Sequence, residues 1–278
     1  MAKDELSIAA LQLNSQADVA QNLETCRGLI GRAASRGAEV VVLPENFAFF
    51  GPEADKCRIA ESLSDGPITT ALAGIAKEFR VALVAGGFPE LSGDPQRPHN
   101  SLLVLGADGT RLGTYRKIHL FDVELGSSGS YSESAATLAG KVPLVVEVAG
   151  FKLGLSICYD LRFPELYRAL SEQGAEVILV PAAFTLHTGK DHWHVLLRAR
   201  AIESQAYVVA AAQHGAHPGS RNTYGHALIA DPWGTVIAEA SDGVGLVSAT
   251  LERSRLESIR RNLPSLEHRK LGLSQAKP

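Results

Sequence analysis

Cys158, Glu45 and Lys117 are the residues of this chain whose types and settings suit covalent chemistry. A thiol attacks a carbonyl carbon when a nearby base takes its proton and a cation or N–H group receives the developing oxyanion. The stretch 151–168, F-K-L-G-L-S-I-C-Y-D-L-R-F-P-E-L-Y-R, begins as a β-like apolar run and then changes period. Phe163, Leu166, Tyr167 and Leu170 fall on one helix face, and Pro164 suits a first helical turn. Cys158 therefore stands at a strand-to-helix corner, where backbone N–H groups can surround a nucleophile. An inert buried thiol fits the same corner, so the cysteine needs partners before it counts as reactive.

Histidine, the usual partner of a cysteine, is not supplied by spacing. His192 and His194 lie about 200° apart around a helix, and His214, His217 and His226 fall in and after a Gly- and Pro-containing loop. No H-E-x-x-H or C-x-x-C occurs, so no metal centre is expected. Walker, G-x-S-x-G and G-x-G-x-x-G patterns are also absent, and no cofactor is expected. Two charged strand ends remain. V-V-V-L-P-E-N-F at 40–47 brings Glu45 to the end of a buried strand, and Y-R-K-I-H-L-F-D at 115–122 brings Lys117 to the end of a hairpin strand. Taken singly, Glu45 reads more simply as a loop carboxylate and Lys117 as a solvated edge lysine. Taken with Cys158 they are three strand ends, and strand ends in a layered α/β fold converge on one site. Burial raises a glutamate's pKa and a neighbouring ammonium lowers it, a balance that lets one carboxylate accept a thiol proton and return it to a leaving amine.

The elements that must hold these ends are mixed. Strands are expected at 7–13, 40–43, 81–85, 100–105, 112–119, 144–149, 152–157, 177–180, 207–212, 223–231, 235–240 and 245–250, with helices at 19–36, 67–80, after Pro164, at 191–205 and at 251–261. Turns at 107–110, Gly150 and 232–234 imply hairpins, which a purely parallel sheet does not explain. Two mixed sheets packed face to face, with helices outside, do. No linker, repeat or low-complexity segment appears, so residues 1–278 are expected to form one domain with an extended basic tail from about 263. The 45% hydrophobic and 21% charged composition is that of a soluble globular protein. A net charge of −3 gives no reason to expect nucleic-acid or membrane partners. The acidic start and short first apolar run suggest no secretory leader, and no apolar run reaches bilayer length. Three cysteines without C-x-x-C suit a reducing compartment, so a cytoplasmic location is expected.

P-E-N-F, Y-R-K-I-H-L-F-D and S-I-C-Y-D-L-R-F-P-E-L, in this order, resemble the carbon–nitrogen hydrolase (nitrilase) superfamily with its Glu-Lys-Cys triad, and the resemblance covers nearly the whole chain. It implies a four-layer α-β-β-α sandwich that dimerises, or assembles further, through the helix after the cysteine. It also implies Glu45 as general base, Lys117 as oxyanion stabiliser with the backbone N–H of Tyr159, and Cys158 as nucleophile. Glu133, in Y-S-E-S at 131–134, matches a second family glutamate that positions the lysine and substrate, although alone it reads as a solvated loop acid. The stretches 161–166, 192–203, 208–215 and 223–234 are most similar to the branch of deaminated glutathione amidases. That branch implies hydrolysis to 2-oxoglutarate and Cys-Gly through a cysteine thioester. Alternatives are an ω-amidase acting on 2-oxoglutaramate, another small-amide or N-carbamoyl hydrolase, and a non-catalytic partner-binding protein. Arg162 is the expected carboxylate-binding residue, with Arg198, Arg200 and Arg221 as further candidates and Phe184 and Thr185 as pocket lining. His194 stands where the family usually carries an acid, and Asp191 replaces a small residue. Both are expected to reshape the loop after Thr185.

Overall fold

The computed structural model describes residues 3–126 and 129–272. Along them run β1 (Glu5–Leu13), α1 (Val19–Ser35), β2 (Val40–Leu43), the short α2 (Lys56–Ile59), α3 (Pro67–Phe79), β3 (Ala82–Glu90), β4 (His99–Leu105), β5 (Arg111–Arg116), β6 (Asp122–Glu124) and β7 (Ser130–Ser132). The second half carries β8 (Val145–Val148), β9 (Phe151–Leu155), α4 (Pro164–Glu172), β10 (Val177–Leu179), α5 (Leu186–Ser204), β11 (Tyr207–Ala210) and β12 (Ala212–Ala216). It ends with β13 (Asn222–Tyr224), β14 (Leu228–Ala230), β15 (Val236–Glu239), β16 (Gly245–Glu252) and α6 (Arg253–Asn262).

One sheet has the order β13-β12-β1-β2-β3-β4-β5, with β16 antiparallel along β1; the other has the order β15-β14-β11-β10-β9-β8. Strand alternation decides the layers. Leu6, Ile8, Ala10, Val40 and Val42 face inward and share a core with Leu153, Leu155, Val177 and Val208 of the other sheet. Ala9, Leu11, Val41 and Leu43 face outward against Leu29, Ile30 and Leu72 of α1 and α3. On the far side, α4 and α5 add Leu166, Tyr167, Leu170, Trp193 and Leu197. Each buried Val, Leu or Ile among them is worth about 1.5–3 kcal/mol, so a one-residue slip that swapped the two faces of a strand would be heavily penalised. The layering is the α-β-β-α sandwich that the sequence implies.

Several expected boundaries move. The run 207–212 is two strands, because the chain leaves one sheet after β11 and joins the other at β12. The run 223–231 is likewise divided between β13 and β14, broken at Gly225 and His226, where φ is 79° and 57°. Helix α5 starts five residues before the expected 191, because Thr185 caps it by accepting the Thr188 N–H. The β6–β7 hairpin is absent from the expected elements, and the strand number rises to sixteen among the described residues. Beyond α6 the chain turns at 265–268, and Arg269 pairs with Glu172 of α4 at 2.9 Å, so the tail is not extended throughout. The rest of the expected tail, 273–278, lies outside the described residues.

Candidate active site

Cys158 follows β9, Glu45 follows β2, Lys117 follows β5 and Glu133 follows β7. All four line one open-mouthed cleft, as do Tyr159, Arg162, Phe184 and Thr185. The cleft thus gathers the expected catalytic residues and Arg162, Phe184 and Thr185, but not Arg198 or Arg200.

Lys117 is 2% exposed, which removes the edge-lysine reading. Its Nζ donates to Glu45 Oε1 at 2.9 Å and to Glu133 Oε2 at 2.8 Å. A lone buried ammonium would neutralise. Burial does push Lys117 downward, but Glu133 and Glu45 outweigh it and hold its pKa well above the usual lysine value. Asn100 Nδ2 donates to Glu45 Oε1 at 2.9 Å and to Glu133 Oε1 at 3.2 Å, and the Phe121 N–H meets Glu133 Oε2 at 2.7 Å. Burial raises the Glu133 pKa, yet Lys117 and Lys56 together hold it well below the usual carboxylate range.

Glu45 owes its place to a close backbone approach. Asn46 sits at φ 60°, and its N–H bonds Gly87 O at 2.8 Å. Gly87 is itself at φ 51°, and a Cβ there would lie 2.8 Å from Glu45 Cγ and 2.7 Å from Asn100 Oδ1. Only glycine leaves that space in that conformation.

Cys158 also occupies the left-handed region, at φ 50°, a conformation that costs a non-glycine residue about 1–3 kcal/mol. The surroundings impose it. The Cys158 N–H bonds Pro181 O at 2.9 Å, and Asp160, with no exposed surface, pins the turn that follows. Asp160 Oδ2 accepts from the Ile157 N–H at 2.9 Å and the Tyr115 hydroxyl at 2.7 Å. Its Oδ1 accepts from the His119 N–H at 3.0 Å and His119 Nδ1 at 2.7 Å. Tyr115 and His119 flank Lys117, so one carboxylate locks the cysteine corner to the lysine segment across the two sheets. Burial raises the Cys158 pKa, the Glu45 carboxylate raises it further, and Lys117 offsets only part, so the resting thiol is neutral. The Tyr159 N–H finds no acceptor outside its own turn among the described residues.

The arginines separate into two groups. Arg162 lies 5.2 Å from the Phe184 ring and 5.9 Å from the Tyr159 ring, with Nη1 3.1 Å from His192 Nδ1. Arg221 also lines the cleft. Arg200 is committed to Leu161 O and Glu203, and Arg198 to Gly234 O; neither lines the cleft. His194 turns away, sharing Glu239 Oε1 with His226 at 2.8 Å each, and Asp191 is exposed. Neither lines the cleft, so the expected reshaping beyond Thr185 does not come from direct contact. Asp160 and Asn100 are not among the residues that the sequence singles out. Their neighbours are themselves polar or half-buried, His99 and Ser101 beside Asn100 and Tyr159 and Arg162 near Asp160, so no periodic signal marks them.

The sequence matches the profile described as carbon–nitrogen hydrolase over residues 7–261. It is 48% identical over 264 residues to a deaminated glutathione amidase of Synechocystis, covering 94% of this chain and 97% of that one. It is 42% identical over 268 residues to the human deaminated glutathione amidase, covering 95% and 82%. Among solved structures, the Caenorhabditis elegans NitFhit protein superposes with a TM-score of 0.91 at 38% identity, covering 98% of this chain and 68% of that one.

Proposed function

The chain belongs to the carbon–nitrogen hydrolase family and hydrolyses carbon–nitrogen bonds, and from that premise we propose that it cleaves the amide of deaminated glutathione to 2-oxoglutarate and Cys-Gly. The observation that carries the mechanism is a buried ammonium shared by two carboxylates in one cleft with a cysteine on a strained corner. The identities of the Synechocystis and human relatives support the substrate.

Glu45 takes the Cys158 proton as sulfur attacks the amide carbon. The Lys117 ammonium and the Tyr159 N–H receive the oxyanion, each such donor being worth about 3–4 kcal/mol. Protonated Glu45 gives its proton to the amide nitrogen, the C–N bond breaks, and Cys-Gly departs from a 2-oxoglutaryl thioester. Water then loses a proton to Glu45 as it adds to the thioester, and that proton returns to the cysteine sulfur as the acid leaves. Glu133 holds Lys117 in place. Arg162 binds the oxo-acid carboxylate, with Phe184 and Thr185 lining the acyl pocket. The chain works as one domain in the cytoplasm, a setting that its free cysteines Cys26, Cys57 and Cys158 support. It assembles as a homodimer through the α4–α5 side, where Val195, Ile202 and Trp233 are exposed.

Brief exposure to deaminated glutathione, acid quenching and mass spectrometry test this. A 2-oxoglutaryl adduct on Cys158 is expected, with faster 2-oxoglutarate release than from 2-oxoglutaramate. The reverse preference supports the ω-amidase alternative, and turnover by Cys158→Ala overturns the nucleophile assignment.

A further inference from the structure

A second charged cluster in the cleft touches the chemistry above only where Lys56 helps keep Glu133 ionised. The segment that continues from Glu45 contributes Phe50, Glu53 and Lys56 to the cleft wall. Lys56 has a side chain only 9% exposed, and its Nζ lies 2.8 Å from Glu53 Oε2. The other oxygen of Glu53 meets Arg221 Nη2 at 2.7 Å. Glu53 thus lies between two cations, and because Lys56 also faces Glu133, Arg221 is left with a carboxylate that it shares. Such a cluster adds little stability, because desolvation offsets the attraction, and in an open cleft its shared Arg221 is available to an anionic ligand.

The cluster is also held rigidly. The Arg221 guanidinium lies 5.4 Å from the Tyr131 ring and 5.8 Å from Phe50. Phe50 stacks on His217 with centroids 3.9 Å apart, and both nitrogens of that ring are committed, to Ser15 O and Thr223 Oγ1. A guanidinium fixed in this way loses little entropy on binding a carboxylate.

Proton transfer sets the direction of the substrate. Glu45 protonates the departing nitrogen, so the leaving group lies on the Glu45 side, along the wall that carries Glu53 and Lys56. Arg162 and Phe184 come instead from the cysteine corner and the loop after β10, on the acyl side. We propose that Lys56 and Arg221, bridged by Glu53, form a subsite for the C-terminal carboxylate of the departing dipeptide. This rests on the deaminated glutathione reading, whose substrate carries a carboxylate at each end.

The experiment crosses an enzyme change with a substrate change. Wild type and Arg221→Met are assayed on deaminated glutathione and on the same compound with its glycine carboxylate amidated. Wild type should lose about 10- to 100-fold in kcat/KM on amidation, mainly through KM, the worth of a charge-assisted pair. Arg221→Met should show the same loss on the acid form and little further loss on amidation, and Arg221→Lys should restore part of the discrimination. Equal turnover of acid and amide forms by wild type overturns the subsite and leaves the substrate assignment standing. Equal losses by Arg221→Met on both forms also overturn it. No turnover of deaminated glutathione overturns the substrate assignment and the subsite together.

Discussion

Asp160→Asn tests whether one buried carboxylate registers the nucleophile against the lysine. The native oxygens each accept one backbone N–H, from Ile157 or His119, and one side-chain donor, from Tyr115 or His119. An amide has a single oxygen, so whichever way it flips, one backbone N–H faces an NH2 group and loses its acceptor. The side-chain partner on that side can adapt, since a hydroxyl rotates and an imidazole changes tautomer. The minimum loss is therefore one charge-assisted bond with its buried donor left unsatisfied, about 2–3 kcal/mol. In a chain of this size that lowers the melting temperature by about 3–5 °C. Activity should fall further than stability alone explains, because a shift of about 1 Å between reacting groups can cost about 100-fold. The control is Leu29→Ala, a buried residue of the outer core whose loss costs about 2–5 kcal/mol. It should be similarly destabilised yet keep its kcat below the melting transition. Calorimetry and single-turnover acylation read both quantities. An Asp160→Asn protein with native melting temperature and native acylation rate would refute the reasoning, and one no slower than Leu29→Ala would reduce Asp160 to ordinary core stability.

Two further predictions follow from the titratable groups. Glu133 is depressed on folding, so its contribution to stability is complete above the ordinary value of 4.5 and fades as pH falls through the lower folded value. Urea unfolding from pH 6 to pH 3 should show a shallower acid loss for Glu133→Gln than for wild type, and parallel slopes would contradict the assignment. Burial pushes Cys26 up to about 12, whereas Cys57 is only partly buried. Iodoacetamide at pH 8 should therefore label Cys57 in the native protein and Cys26 only after unfolding, as read by peptide mass spectrometry.

Glu45, Lys117 and Cys158 are legible in the sequence because each ends a run whose apolar period marks a strand. Position along the chain was enough to suggest convergence. Asp160 and Asn100 are not legible in this way. A single buried polar residue breaks no period, and its partners come from other strands, as when Asn100 of β4 reaches Glu45 after β2. Glu133 carries no periodic signal either, and only the family resemblance singled it out. The division of 207–212 between two sheets is hidden for the opposite reason: the run is apolar throughout, and both halves are buried. At 225–226 the break depends on a histidine at positive φ, which the residue type does not announce. The β6–β7 hairpin is too short and too polar to show alternation, although it delivers Glu133 to the cleft.

The pairing of two glutamates with one lysine follows from tracking the proton. At rest Lys117 is shared by Glu45 and Glu133, and the thiol between these charges is neutral. A thiolate formed in advance would sit beside the Glu45 carboxylate in a buried cleft, so in the proposed mechanism proton transfer accompanies attack. Once Glu45 holds the proton it no longer compensates the lysine. With Glu45 as its only partner, Lys117 would then have the forming oxyanion alone beside it, and desolvation would favour passing its proton to that oxygen. In the proposed mechanism Glu133 prevents this. It keeps Lys117 charged while Glu45 is neutral, and the charge that Glu45 gives up is replaced by the oxyanion. The stabilisation is thus greatest in the transition state, where it lowers the barrier, rather than in the bound ground state.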